Sequence, residues 1–515
     1  MKKTDTNKEA YRRLRALEWD RLWDVEVPAF DAASSPERLS NVSLVRAVGV
    51  VFSESGNPEQ KEDVARWLRS LLRDPAEKIR RYAMAALPKI GAGAAGESDL
   101  IGLLQRTTLD REKAFLARSL DKMGGKATLA AIESSPGLLP VADQKIRANV
   151  IRELQPGAIA LDRPLAPPGG FLIHLRCRRG LEDILRGEVE ATCANSRFRV
   201  ASTAPGLLSL HPTSVFCLRD LYALRCFATP GFVLGNVRAD SPSLAAEIAR
   251  SVASPLARSL LKTWTDGPPR YRIEFVGRGH LRGLVKDITR RAYAETPDIL
   301  NDARSALWSV DVHPDGPHLS VELRPRLSPD PRFDFRRADV PAASHPPLAA
   351  CMARLAGPMD PDGLLWDPFC GSGLELVERA RLGGVSEAWG SDLSPEAIAI
   401  AQRNFSAAQL LPPGRFTCCD FRDFPRISGL PLRSVGQIIT NPPLGRRVPI
   451  RNLPGLISDL LSVAGALLRP GGSLVFVNPV AVPSPPRSLR LESSKWIDLG
   501  GFDCRLEHYR KDAAG

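Results

Sequence analysis

Along the first ~155 residues, apolar positions recur at three- and four-residue intervals, which predicts helices in tandem. Three stretches align with one another: KIRRYAMAALPKIG from Lys78, KAFLARSLDKMGG from Lys113 and KIRANVIREL from Lys145. Matching Leu87, Leu120 and Leu154 gives spacings of 33 and 34 residues. An amphipathic helix repeated at that period buries its apolar face only against its neighbours, as in a short helical solenoid. An irregular helical bundle is the alternative. Gly91 and Gly124 fall just past two of these helices, where a terminating glycine is expected. Upstream, residues 58–73 predict another amphipathic helix, with Val64, Leu68, Leu71 and Leu72 on one side.

The Pro/Gly-rich stretch LDRPLAPPGG (161–170) predicts a linker. Beyond it, short β-rich runs alternate with helical ones. Strands are expected at 171–177, in FRVAS and GLLSLHP, at 271–278 and at 318–327. Helices are expected at 181–192, in SLAAEIARSVASPLARSLLKTW and at 281–295. This is the pattern of an α+β module. From residue 364 the texture becomes strand, glycine turn, helix, strand, which predicts a doubly wound α/β domain. The expected architecture is therefore multidomain: an α-helical repeat region at 1–160, an α+β module at 168–330 and an α/β domain at 335–515.

Composition adds three constraints. A chain of 515 residues is too long for one core. The net charge of +12 favours encounter with a phosphate polymer, each neutralised phosphate releasing counterions. The nine cysteines are scattered, with no CxxC pair and no zinc-like Cys/His spacing, so reduced thiols, a cytoplasmic protein and no metal are expected. No apolar stretch approaches the length of a membrane span.

The densest chemistry begins in LLWDPFCGSGLELVERARLGG. The turn runs through Asp367, Phe369, Cys370, Gly371 and Gly373, and its glycines let backbone approach a ligand that a Cβ would exclude. An acidic residue before a G-x-G turn suits the amino-acid half of S-adenosylmethionine, with Asp367 facing the ammonium or sulfonium. A second strand is expected to end at Asp392, beside Leu393, where a carboxylate can accept from both ribose hydroxyls. A third is expected to end at Asp420, placed to accept from the adenine amine, with Phe421 available to pack on the ring. The three acidic strand ends are 25 and 28 residues apart, a β-α-β spacing. This order resembles the class I methyltransferase fold, and DPFCGSG resembles its RNA-modifying branch, over Phe335 to about Asp503. The resemblance implies S-adenosylmethionine as cofactor. It also implies a place beside the cofactor for the His345-Pro346 segment.

A fourth strand leads into Asn441-Pro442-Pro443-Leu444. An exocyclic amine on a base ring is a poor nucleophile because its lone pair is delocalised. The Asn441 side-chain oxygen and the Pro442 carbonyl can each accept one of its N–H hydrogens and hold the nitrogen pyramidal. The prolines, Pro443 included, fix φ and keep those acceptors in place. Orientation and desolvation then do the work, with no covalent intermediate. Asn441 thus belongs to both the catalytic and the cofactor sets. The motif serves adenine N6, cytosine N4, guanine N2 or a glutamine amide. DNA adenine enzymes usually carry an aromatic fourth residue; Leu444 departs from this and leaves the stacking partner of the base unidentified. The continuation Gly445-Arg446-Arg447 resembles guanine-N2 enzymes acting on tRNA, with Arg446 and Arg447 meeting RNA.

The helix after the first strand of the module, followed by a strand–basic helix–strand unit ahead of a methyltransferase domain, resembles the THUMP arrangement of RNA-modifying enzymes. That resemblance implies a ferredoxin-like/THUMP-like RNA-binding module, with phosphate contacts from Arg278, Arg282, Lys286, Arg290 and Arg291. Arg282, Lys286 and Arg290 recur at i, i+4, i+8 and share a helix face. The tandem helices resemble HEAT-type repeats, which could extend the RNA footprint or recruit a protein. The expectation is an RNA guanine-N2 methyltransferase, on tRNA for preference. The alternatives are an rRNA guanine-N2 enzyme, a protein glutamine-N5 methyltransferase and a non-catalytic RNA-binding scaffold.

Overall fold

The computed structural model describes residues 3–135, 143–192, 197–279, 281–341, 343–360, 363–445, 450–480 and 485–512. Contacts divide the chain into two units, each made of two stretches: Met1–Ile159 with Ala239–Val310, and Ala160–Arg238 with Asp311–Gly515. Among the described residues no helix is long and apolar enough to cross a membrane.

The first unit is led by helices. The main series runs α1 (Ser43–Ser55), α2 (Lys61–Ser70), α3 (Glu77–Ile90), α4 (Gly93–Arg106), α5 (Asp110–Met123), α6 (Lys126–Ser134) and α7 (Asp143–Leu154). Alternate members pack on each other: α1 on α3, α3 on α5, α5 on α7, and likewise α2 on α4 and α4 on α6. The aligned leucines Leu87 and Leu120 sit in the shared core with Val48, Leu68, Met84 and Leu100. Gly91 ends α3 at φ 64°, the left-handed conformation expected of it. Gly124 differs, with φ −64°. There the chain passes straight into α6, whose first N–H groups are capped from α4: Glu97 accepts from the amides of Gly125 (2.6 Å) and Thr128 (2.7 Å).

In the second stretch of this unit the long helix expected through residues 243–264 is broken. It forms Leu244–Val252 and Pro255–Thr263, because Pro255 cannot continue a helix and the Ser254 hydroxyl caps the next one at the Ala257 amide. Arg152 of α7 grips Asp302 with two hydrogen bonds, at 3.0 and 2.6 Å, and buried Arg270 adds a third at 3.2 Å. Ala148 and Ile151 pack on Leu300 beside it. The last helix of the series is thus bonded to residues about 150 positions away.

The second unit holds a five-stranded antiparallel run in the order Phe198–Ala204, Leu207–Pro212, Ile173–Arg176, Thr229–Arg238, His318–Pro325. The helix Glu182–Thr192 packs on two of its strands. The α/β domain follows: α8 (Pro346–Leu355), β1 (Gly363–Asp367), α9 (Leu374–Ala380), β2 (Val385–Asp392), α10 (Pro395–Ala407), β3 (Gly414–Cys418), β4 (Val435–Thr440), α11 (Leu453–Leu467), β5 (Leu468–Asn478), β6 (Leu489–Asp498) and β7 (Asp503–Lys511). Its sheet order is β3-β2-β1-β4-β5-β7-β6, parallel up to β5 and antiparallel at β7 and β6. The strand order reverses between β1 and β4, so a crevice opens beyond their carboxyl ends. Every residue of α9 is buried, which places that helix between sheet and neighbours on all sides.

Buried ion pairs fasten the antiparallel run to this domain. Arg225 holds Glu378 through two hydrogen bonds, at 2.7 and 2.6 Å. Glu188, with no exposed surface, accepts from the amides of Arg225 and Cys226 and pairs with Arg354 at 2.8 Å. Glu188→Ala would strand two amide donors and a guanidinium. We expect a loss of about 3 kcal/mol, the low end for a broken buried pair because Arg354 retains some contact with water. Urea unfolding of the full chain measures it.

Candidate active site

A cleft of about 960 Å³ lies at the carboxyl ends of β1, β2 and β4, lined by residues of the second unit alone. Its floor is the turn between β1 and α9. Gly371 (φ 48°) and Gly373 (φ 78°) both take left-handed backbone, closing the turn tightly before α9. Asp392 at the end of β2 braces it: one carboxylate oxygen accepts the Gly371 N–H at 3.0 Å and the other the Ser394 N–H at 2.9 Å. Each oxygen keeps a lone pair for a ligand hydroxyl.

Asp367 lies beneath the turn, fully buried. One of its oxygens accepts from the Thr440 hydroxyl at 2.6 Å and the Phe369 amide at 3.1 Å; the other has no partner. Burial, and then the nearby Glu375 carboxylate, push its pKa well above the usual carboxylate range. An orphaned buried oxygen at the foot of the turn is one a ligand cation would satisfy.

Asn441 follows β4. Its Nδ2 donates to the Ser344 hydroxyl at 2.8 Å, and that hydroxyl donates to Glu375 Oε1. The Asn441 Oδ1 is buried without a partner, although the residue lines the cleft. Glu375, buried on α9, has its pKa raised by that burial, against the opposing hydrogen bond from Ser344. His345 stands at the N-cap position of α8 without capping it through its side chain. Open to solvent through the cleft yet ringed by protein atoms, its imidazole is desolvated and faces Arg178, Arg332 and Arg336. These hold its pKa at about 4, so it is neutral at physiological pH.

The structure thus gathers His345, Phe369, Cys370, Gly371, Asp392, Leu393, Asp420, Phe421, Asn441, Pro442 and Pro443 around one cleft. Asp367 supports the turn from below, and Gly373 caps α9. Asp420 differs in placement from the expected strand end: β3 stops at Cys418, and Asp420 lies two residues beyond. Its carboxylate is shared with Arg422, through the amide at 2.9 Å and the guanidinium at 2.8 Å. Phe421 is 3% exposed, its ring 4.9 Å from Phe369 and under the Arg422 guanidinium, so little of it is offered to the cleft. Leu393 is the opposite case, 72% exposed at the rim.

Ser344, Glu375, Arg178 and Phe502 line the cleft as well and escape the sequence reading. Glu375 carried no local signal, being one of three charged residues in the run LELVERA. Ser344 and Phe502 carried none. Arg446 and Arg447 lie outside the described residues.

Arg278, Arg282, Lys286, Arg290 and Arg291 belong to the other unit and are all exposed, most of them on the helix Arg282–Glu295. Arg282, Lys286 and Arg290 do share a face, but Asp287 interrupts the charge. It binds Arg290 at 2.6 Å and Arg291 at 3.0 Å.

Residues 334–480 match the family described as RMKL-like, methyltransferase domain. The rRNA N(6)-adenosine-methyltransferase metl-5 of Caenorhabditis elegans is 27% identical over 143 residues; the match spans 28% of this chain and 62% of that protein. TrmN from Thermus thermophilus superposes with a TM-score of 0.54 at 23% identity, covering 66% of this chain and 99% of its own. A possible methylase from Clostridium difficile 630 covers 66% of this chain and 98% of its own, with a TM-score of 0.49 and 16% identity. The likeness to TrmN is one of fold. Residues 334–480 form a methyltransferase domain, whose methyl donor is S-adenosylmethionine. The residues fit that group: the orphaned Asp367 oxygen answers a cation, and Asp392 presents a carboxylate to hydroxyls.

Asp392→Asn keeps one acceptor for the turn but loses the charge. It is expected to weaken S-adenosylhomocysteine binding by about tenfold or more, the worth of one charge-assisted hydrogen bond. Isothermal titration reads this; unchanged affinity would remove Asp392 from the cofactor site.

Proposed function

We propose that the protein is an S-adenosylmethionine-dependent RNA methyltransferase that methylates the exocyclic N2 of a guanine, in tRNA. The observation that carries the reading is Asn441. It sits where β4 opens into the cleft, its amide nitrogen is engaged by Ser344, and its oxygen is left for a donor from outside. An amine that gives one N–H to this oxygen and the other to the Pro442 carbonyl has its lone pair directed away from both. S-adenosylmethionine supplies an electrophilic methyl. The methyl would pass to the nitrogen lone pair aimed by Asn441 and Pro442, the donor sulfur keeping the C–S electron pair as a neutral thioether, and the amine would give up one proton to solvent as the product leaves. The chain's own contribution is to hold the acceptors still and exclude water.

RNA as substrate is supported by the net charge of +12, by the rRNA activity of the C. elegans relative and by the exposed basic residues of the helix Arg282–Glu295. In this reading residues 168–330 are a THUMP-like RNA-binding module, and the stacked helices are HEAT-like repeats that lengthen the footprint or receive a protein. Domain bounds of 1–160, 168–330 and 335–515 describe that organisation along the chain. One observation favours a second reading: the relative methylates adenosine N6 in rRNA, so an rRNA base comes next.

The deciding experiment incubates the full chain with labelled cofactor and tRNA, rRNA or release factor, followed by nucleoside analysis. N2-methylguanosine in tRNA is expected. Methyl-adenosine in rRNA selects the second reading, and label in protein or in nothing overturns the RNA assignment. Asn441→Ala should lower turnover by at least about a hundredfold, as loss of one preorganised group does, with S-adenosylhomocysteine affinity nearly unchanged.

Replacing Arg282, Lys286 and Arg290 together with alanine should weaken RNA binding and reduce the slope of log affinity against log salt by about two. The full value of nearly three is not expected, because Asp287 already neutralises part of the Arg290 charge. An unchanged slope would place RNA elsewhere.

A further inference from the structure

Among the side chains at the cleft, Ser344 and Glu375 touch no reacting atom in the mechanism above, yet they are bonded in series to the one residue it cannot spare. Ser344 lies 97 positions before Asn441, and Glu375 follows 31 positions after Ser344. We infer that Ser344 is a positioning residue which, anchored on Glu375, holds the Asn441 amide with its nitrogen inward and its oxygen offered to the substrate amine. The inference rests on the proposed amine methylation.

The argument is one of hydrogen-bond direction. A carboxamide rotated by half a turn swaps acceptor for donor in nearly the same space. In that flipped state Asn441 would point N–H groups at the substrate's own N–H, and the amine could not be held. Nothing in the Asn-Pro-Pro backbone excludes the flip, since the prolines fix φ and leave the asparagine χ2 torsion free. Ser344 excludes it. Its hydroxyl has a single proton, and Glu375 Oε1 takes that proton. The hydroxyl then has only lone pairs to offer Asn441, so only Nδ2 can face it, as observed at 2.8 Å. The same chain polarises the amide: a donor bond from Nδ2 to an oxygen that is itself bonded to a carboxylate shifts electron density toward Oδ1. That oxygen is the partnerless one. A buried acceptor of this kind gains most from a donor, so an amine N–H arriving there is held where it reacts.

The test uses an isosteric pair in the full-length protein. Ser344→Val and Ser344→Thr differ in the hydroxyl alone. Valine is expected to lower kcat about tenfold or more, while KM for the RNA and affinity for S-adenosylhomocysteine stay within about twofold of wild type. Threonine is expected to recover most of kcat. Equal kcat for valine and threonine overturns the inference, whether both are fast or both slow, even where wild type methylates its substrate as proposed. A second readout needs no turnover. In protein labelled with 15N-asparagine, the Asn441 side-chain amide, assigned by its loss in Asn441→Ala, should exchange slowly in wild type and Ser344→Thr and fast in Ser344→Val. Fast exchange in wild type overturns the inference. If the wild type methylates nothing, the proposed function fails, and the exchange data alone decide whether Ser344 holds the amide.

Discussion

The hydrogen bond from the Thr440 hydroxyl to Asp367 is the contact on which the site depends. It joins the last residue of β4 to the last residue of β1, 73 positions apart, at 2.6 Å between two fully buried side chains. One of these strands leads into the cofactor turn and the other into the Asn-Pro-Pro loop. A buried bond there sets the separation of donor and acceptor without any contribution from loops. It also ties a carboxylate to the fold in a place where burial alone would expel one. Asp367 remains because Thr440 and the Phe369 amide satisfy one of its oxygens, and because the site has a use for the other.

Outward from that pair the arrangement is layered. Asp392 braces the turn through the Gly371 and Ser394 amides, and Glu375 on α9 braces Asn441 through Ser344. α9 itself is fastened from behind. Glu378, one turn beyond Glu375, takes both arms of Arg225 from the antiparallel module. Thus a single buried helix carries one carboxylate that supports the reacting residue and another that anchors the module beside it. Its sequence, LELVERA, alternates burial of apolar and charged groups, which is affordable only because each charge meets a partner.

Much of the site was legible in the sequence for a simple reason. In a doubly wound sheet, function collects where strands end, so acidic residues and glycines at β-α-β spacing announce themselves. Asp367, Asp392 and Asn441 are of this kind, and each stands at or just beyond a strand end. Contacts set by tertiary geometry were not legible. Ser344 and Glu375 meet Asn441 across long separations, and neither has a local pattern that marks it. The grouping of 239–310 with the helical region draws on contacts such as the Arg152–Asp302 pair, about 150 residues apart, which no window along the chain contains. Two departures were local and could be read in hindsight: Ser254-Pro255 is a helix-start signal inside a predicted helix, and Asp287 stands three and four positions before the arginines it neutralises.

The lack of an aromatic residue after Asn-Pro-Pro has a structural counterpart at the far end of the chain. Leu444 offers a branched aliphatic surface, whereas Phe502, between β6 and β7, brings a flat ring to the same cleft. The turn that carries it is braced by the antiparallel module as well as by its own hydrogen bonds from the Gly500 and Gly501 amides to Asp498. Arg178 donates to the Asp498 carbonyl at 3.0 Å, and the Asp498 amide donates to the Arg179 carbonyl at 3.2 Å. Gly180 (φ 94°) comes so close to the Trp496 carbonyl that any Cβ would overlap it, so only glycine allows that approach. An aromatic surface for a flipped base must be rigid to be worth its stacking energy. Here the turn takes its hold from residues 178–180, in the same unit as the cleft. A base turned out of its stack and laid on Phe502 would then meet a turn whose backbone path those contacts fix.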